Sequence, residues 1–288
     1  MRKAFYIGAV AAAVAPGLLA GQSWRTLTTS HMIEDNDEIR VFVEYAAGRL
    51  KVRAADGNVL YRMNLRYDEE MFEPVSDFSG NRLRLGVESI GRGFNIGRRK
   101  QSGELDLEFA RGIPMDMDLE YGAVRADIDL GGLALTDLDL STGASQSTID
   151  ISEPKSVRMS TARFEIGAAE FEARHLGNLN AERIEIDAGV GEVTLWFNGR
   201  WQRDARVSID MGLGALELRI PEGLGVRLRK DGFLVSLDSE GMVKRGDAYY
   251  SLDWEDAERK VTIDLHAAFG SVKVVWIRGV TRFVRRTP

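Results

Sequence analysis

The sequence contains no cysteine. Disulfides, thiolate metal sites and cysteine nucleophiles are therefore excluded, and the absence fits an oxidising compartment. Histidine is scarce: His31, His175 and His266 stand far apart, each without a neighbouring ligand motif, so a zinc site or a catalytic histidine is not indicated. The G-x-S-x-G elbow and the HExxH helix of common hydrolases are also missing. There is no excess of positive charge: 38 Lys+Arg against 44 Asp+Glu give a net charge of −6, which argues against nucleic acid as the main partner. Helical periodicity is nearly absent, and short alternating segments separated by Gly, Asp or Asn dominate, so the fold class is all-β.

What is present is a repeat. Ile184–Leu195 (I-E-I-D-A-G-V-G-E-V-T-L) returns as Val207–Leu218 and Ile263–Val274, and is already visible at Val41–Val52. In all four, aliphatic residues hold the first, third, tenth and twelfth positions, and glycine holds the eighth: Gly48, Gly191, Gly214 and Gly270. Alternation of period two buries one face of each strand. A glycine at a fixed slot predicts a backbone with positive φ in a tight turn between two short strands. Leu130–Gly143 matches Leu176–Gly189 at twice the 23-residue step from Ile184 to Val207. A period near 23 implies stacked coils lining a shared core. Leu138/Leu140, Ile184/Ile186, Val207/Ile209 and Ile263/Leu265 form the predicted ladder. The longer gap before Ile263 leaves an insert near 226–256, read as an extra pair of strands.

The expected organisation is a signal peptide over 1–20, a polar linker over 21–37, an N-terminal β domain over 38–114, a β-solenoid repeat domain over 115–277 and a basic tail over 278–288. The first segment has a charged start at Arg2 and Lys3, an apolar Ala-rich run over 4–19 and a Pro16-Gly17 break before Ala20, the layout of a secretory signal. An uncleaved anchor is the rival reading. With cleavage no transmembrane span remains.

Val43–Val52 (V-E-Y-A-A-G-R-L-K-V), followed by Arg66-Tyr67-Asp68, resembles the N-terminal domain of the toast-rack family. Gly212–Val226, Gly246–Ser251 and Lys260–Val274 resemble its C-terminal β-solenoid, which is similar to that of Lia-type envelope-stress regulators and of adhesin-like proteins of the head-GIN type. The resemblance implies a β-solenoid with a small N-terminal β domain and supplies no catalytic residues.

Two stretches stand out as candidate contacts. The first is Gly91–Gly103, where Arg92, Arg98, Arg99 and Lys100 surround Phe94 and Ile96 with no anion, a composition suited to an anionic polymer or head group. The second is the insert, where Tyr249, Tyr250 and Trp254 are candidate aromatic contacts. Carboxylates crowd the strands (Asp116, Asp118, Glu120, Asp137, Asp139, Asp187 and Asp210 among them), but no segment has the loop of a dedicated calcium site, and a solvated, aggregation-resistant face explains them. Gly189-Val-Gly191 and Gly212-Leu-Gly214 precede strands rather than helices, so they are turns and not phosphate loops. The reading is an exported, non-catalytic binding or scaffold module at a bacterial cell envelope, with no cofactor or metal and an unidentified envelope partner (anionic polymer, lipid or protein). The alternatives are an adhesin-like surface protein, an envelope-stress sensor acting through a partner, and a glycan-active enzyme.

Overall fold

A computed structural model describes residues 23–90 and 103–278. The expected signal peptide, the cationic stretch with Arg92, Arg98, Arg99 and Lys100, and the basic tail beyond Arg278 lie outside the described residues. Sixteen strands are present among the described ones: β1 (Trp24–Met32), β2 (Ile39–Ala54), β3 (Val59–Asp68), β4 (Phe72–Ser79), β5 (Arg82–Ser89), β6 (Gly103–Phe109), β7 (Pro114–Asp129), β8 (Ala134–Thr142), β9 (Gln146–Asp150), β10 (Met159–Arg174), β11 (Ala181–Trp196), β12 (Ala205–Pro221), β13 (Gly225–Asp238), β14 (Met242–Arg245), β15 (Ala248–Ser251) and β16 (Lys260–Ile277). All belong to one sheet, and its central run, β2-β7-β8-β10-β11-β12-β16-β13, is parallel throughout.

Each long strand is one coil of a β-solenoid, bent at its middle so that both arms face a common core. The repeat read from the sequence sets the register. One inward column is Val41, Met117, Leu138, Ala162, Ile184, Val207, Ile263 and Leu228, in order along the stack. On the other arm the column is Leu50, Ala126, Ser147, Phe171, Val193, Leu216, Val272 and Leu237. The aliphatic and aromatic members of these columns, with Leu237 partly buried at the end, form one continuous hydrophobic cluster. Fully burying such a side chain is worth about 1.5–3 kcal/mol. Ala162 and Phe164 of β10 supply the intermediate step implied by the double-length repeat.

Glycine holds the bend. Gly191 and Gly214 have φ of +147° and +149°, and a Cβ on either would lie within 2 Å of the carbonyl oxygen of the preceding coil, Ala169 O or Gly191 O. Gly48 and Gly270 also have positive φ. The expected pair of short strands with a tight turn is thus a single bent strand of 16–18 residues in β11, β12 and β16. Some coils are interrupted at the bend. β8 and β9 pair with the two arms of β10, and β5 and β6 with the two arms of β2.

Three other expectations change. Residues 24–32, read as linker, form β1, antiparallel to β3; most of the side chains are exposed or half-exposed, as on any edge strand, so the hydrophobic pattern was too weak to mark it. The insert holds three strands rather than a pair, with β14 and β15 folding back as an antiparallel hairpin beside β13. The chain order is broken there, since β16 lies between β12 and β13. β7 begins where the domain boundary was expected, and β2 and β7 pair across it from Ile39 to Val52.

The ends of the coils are closed by buried polar side chains. Asn178 donates to Ile151 O at 2.7 Å and accepts from Arg200 N at 2.7 Å, and Asn180 donates to Val157 O at 3.0 Å. These bonds satisfy turn carbonyls and amides that the ladder leaves over.

Candidate functional site

The bend of the solenoid creates a corner on which three outward columns run side by side along the stack. The first is acidic: Glu44, Glu120, Ser141, Glu165, Asp187, Asp210, His266 and Asp231 follow one another in register. Strands stand about 4.8 Å apart, so neighbouring carboxylates are held close together. Asp187 is pushed above the usual carboxylate range by partial burial and then by Asp210, Glu165 and Glu185. Asp118, two positions before Glu120, is raised by burial and by Asp139, Glu120, Asp116 and Glu165. Among the described residues this column holds six carboxylates and no lysine or arginine.

The second column is small. Gly122, Gly167, Gly189 and Gly212 sit where a Cβ would come within 2.4 to 2.9 Å of the preceding coil's carbonyl oxygen. Close stacking at the bend requires glycine there, and the missing side chains leave two shallow depressions. One, of about 850 Å³, has Glu44, Glu120, Glu165 and Asp187 on its wall and Gly122, Gly143 and Gly167 on its floor. The other, of about 580 Å³, continues it with Asp210, Asp231 and His266 above Gly189 and Gly212.

The third column is apolar and exposed. Val190, Leu213, Phe269 and Leu234 are in register with one another, and they are 51%, 51%, 46% and 59% exposed. Each occupies the slot just before the bend glycine or its equivalent, where the inward alternation of the first arm breaks off and the side chain faces solvent. Scattered single apolar side chains on a surface need no explanation, but four consecutive coils repeating one form a patch.

The aromatic residues singled out from the sequence lie elsewhere. Tyr249, Tyr250 and Trp254 come together at the hairpin end, with Tyr250 and Trp254 edge to face at 5.3 Å. Each ring carries a cation: Lys244 over Tyr249 at 5.6 Å, Arg245 over Tyr250 at 5.4 Å and Lys260 over Trp254 at 5.1 Å. A planar ligand would have to displace those cations to stack. Trp196 and Trp201 are also engaged, donating to Glu172 and to Phe197 O, each at 2.7 Å. The histidines stay apart: His31 packs against Phe78, His175 pairs with Asp150 at 2.6 Å, and His266 sits in the acidic column. Among the described residues no three His, Asp or Glu side chains converge as metal ligands do, and no helix is long and apolar enough to cross a membrane.

The apolar column was missed in the sequence because G-V-G, G-L-G and A-F-G were read only as turns. The available signal was an apolar residue recurring at one slot of a turn, where solvent exposure favours polar residues.

With this geometry in view, the profile of the N-terminal domain of toast_rack matches residues 22–174 and 163–219. The chain belongs to the toast-rack family. The toast-rack fold thus accounts for both the N-terminal strands and the first coils. Solved structures of similar fold include a candidate cell adhesion protein from Clostridium sporogenes, with 14% identity over 88% of this chain and 100% of that one, TM-score 0.45. Another is a candidate adhesin from Bacteroides fragilis, with 12% identity over 88% and 99% of the two chains, TM-score 0.39. A third is a candidate lipid binding protein from Parabacteroides distasonis, with 12% identity over 87% and 96%, TM-score 0.38. No curated protein matches the chain.

Proposed function

We propose that this toast-rack protein is an exported, non-catalytic binding or scaffold module of the bacterial cell envelope, and that it binds through the corner of its solenoid. The supporting observation is the in-register run of exposed Val190, Leu213, Phe269 and Leu234 beside the acidic column, an apolar patch that folding leaves open. The inward positions of the same strands are committed to the core, so recognition falls to what faces out. Export rests on the layout of the first twenty residues. Protein recovered from cells that make it is expected to begin just after Ala20 by intact-mass measurement; a start at Met1 with membrane retention would replace export by anchoring.

Binding at the corner is tested in the full chain by a photo-crosslinking residue at Ser271, beside the apolar column, compared with one at Glu222 in the turn after β12. A discrete crosslink to an envelope component from position 271 and none from position 222 is the expected result. Equal labelling from both, or none from either, would overturn this reading.

A further inference from the structure

The corner also has a definite chemical preference, and the inference that follows rests on the binding reading just given. We infer that the corner of β10–β13 and β16 is a docking surface for a basic amphipathic helix of a partner protein, lying along the stack axis with its apolar stripe on Val190, Leu213, Phe269 and Leu234 and its lysines or arginines over Asp187, Asp210 and Asp231.

Charge selects the sign of the partner. Glu165, Asp187, Asp210 and Asp231 run along one side of the apolar column, and Glu170 and Glu192 lie on the other, in register with each other. The second side is acidic only at the β10–β11 end and continues as Ala215, Ser271 and Ser236, so a ligand covering the apolar column meets carboxylates along one side and at one end of the other. Among the described cations near the corner, Arg163 contacts Asp139 and Glu185, Arg229 contacts Asp264, and Lys230 donates to Val235 O at 2.5 Å. Burial raises the Asp187 carboxyl, and Asp210, Glu165 and Glu185 add to it, against the weaker downward pull of Arg163. A second copy of this chain, placed patch to patch, would bring two acidic columns together, and an anionic bilayer would meet the same repulsion. A cationic partner relieves it.

Shape selects the helix. At Val190, Leu213 and Phe269 the backbone is hydrogen-bonded to neighbours on both sides, so a strand cannot be added to the sheet there. An extended ligand laid across the coils would repeat about every 6.6 Å on one face, out of step with the coil spacing of about 4.8 Å. A helix turn rises about 5.4 Å, close enough to keep three or four apolar contacts in step over the four coils. Gly189 and Gly212, between the acidic and apolar columns on β11 and β12, let a helix settle near the backbone there, as small residues do at close helix contacts. Helix-in-groove recognition uses this combination of apolar anchors and flanking charge.

The probe is a fluorescent leucine–lysine peptide of about five helical turns, titrated with the full mature chain and followed by anisotropy. Two controls accompany it: the same composition in a scrambled order that destroys the apolar stripe, and the leucine–glutamate counterpart. The helical cationic peptide is expected to bind, and the controls are expected to bind about tenfold more weakly or not at all. Leu213→Ser with Phe269→Ser is expected to weaken binding about tenfold, while Leu252→Ser, more exposed still but at the hairpin, leaves it unchanged. Asp187→Asn with Asp210→Asn is expected to weaken binding several-fold and to flatten its dependence on salt between about 0.05 M and about 0.5 M. All these substitutions are on exposed side chains, and thermal unfolding of each variant checks that the fold is retained. Binding of the scrambled peptide as tight as that of the helical one, or corner variants that bind like wild type, would overturn the proposal. So would preferential binding to phosphatidylglycerol vesicles. A crosslink from position 271 without peptide binding would leave the binding-module reading standing and remove only the helix.

Discussion

Replacing Gly214 with valine is expected to destabilise the protein by about 3 kcal/mol or more, enough to lower its unfolding midpoint in urea well clear of wild type. Two separate costs add. At φ of +149° a β-branched residue is strained by its own backbone. The new Cβ would also lie 1.8 Å from Gly191 O and 2.8 Å from the Met211 methyl, and the first of these is backbone that belongs to the next ladder. Relief requires β11 and β12 to separate at the bend, which loosens the carbonyl and amide pairs on both sides of it. Gly191 faces Ala169 O at 1.9 Å, so Gly191→Val should cost a similar amount. The control is Gly223→Val. That glycine also has positive φ, +88°, but nothing lies within 4 Å of a Cβ there. Its loss should be near 1–2 kcal/mol, from conformation alone. If Gly214→Val and Gly223→Val cost the same, close approach of the coils is not what the bend glycines protect.

That contrast also shows which parts of the fold were legible. The residues at matching positions of the repeat are the ones that meet: Ile184, Val207 and Ile263 are direct neighbours, in the register the repeat implies. The bend glycine was visible because only one residue type fits and it recurs. The order of the last coils was not visible. Val226 and Leu228 of β13 carry the same alternation as Val261 and Ile263 of β16, and alternation fixes which face is buried without naming the neighbour. Broken coils were hidden for a related reason. Inserting residues at a bend, as between β5 and β6, leaves both arms in place but destroys the spacing by which a repeat is recognised. At the candidate site the sequence showed each acidic residue but not its column, since the column exists only across coils. The apolar residues of the corner were masked by the glycines around them.

Lys155 sets up the second large effect, one that depends on pH. It lies in the turn between β9 and β10, and its side chain is buried to 2% exposure. The ammonium group donates to Leu130 O and, at 2.9 Å, to Leu133 O, closing the turn that follows β7. Burial lowers its pKa from 10.5 to about 7, against the weaker upward pull of Asp129 and Glu153. The unfolded chain therefore holds a proton that the folded chain has released over the interval from about pH 7 to about pH 10.5. Stability is lowest below that interval, where the folded protein carries a buried charge, and rises as pH passes through it, by at most about 1.4 kcal/mol per pH unit. Above pH 7 the neutral amine still donates to both carbonyls, so the bonds are kept as the charge is lost. Lys155→Met removes the titration together with the donors. Leu133 O then loses its lysine donor and Leu130 O keeps only the long bond from Leu133 N at 3.3 Å, at a cost of about 1–3 kcal/mol, which at pH 9 should make the variant less stable than wild type. At pH 6 wild type is itself penalised by its buried charge, and the gap should close or reverse. Urea unfolding of both proteins between pH 6 and pH 9 reads the difference directly. Parallel stability profiles for the two would mean that Lys155 keeps its proton in the folded state across this range, and that the turn tolerates a buried ammonium without penalty.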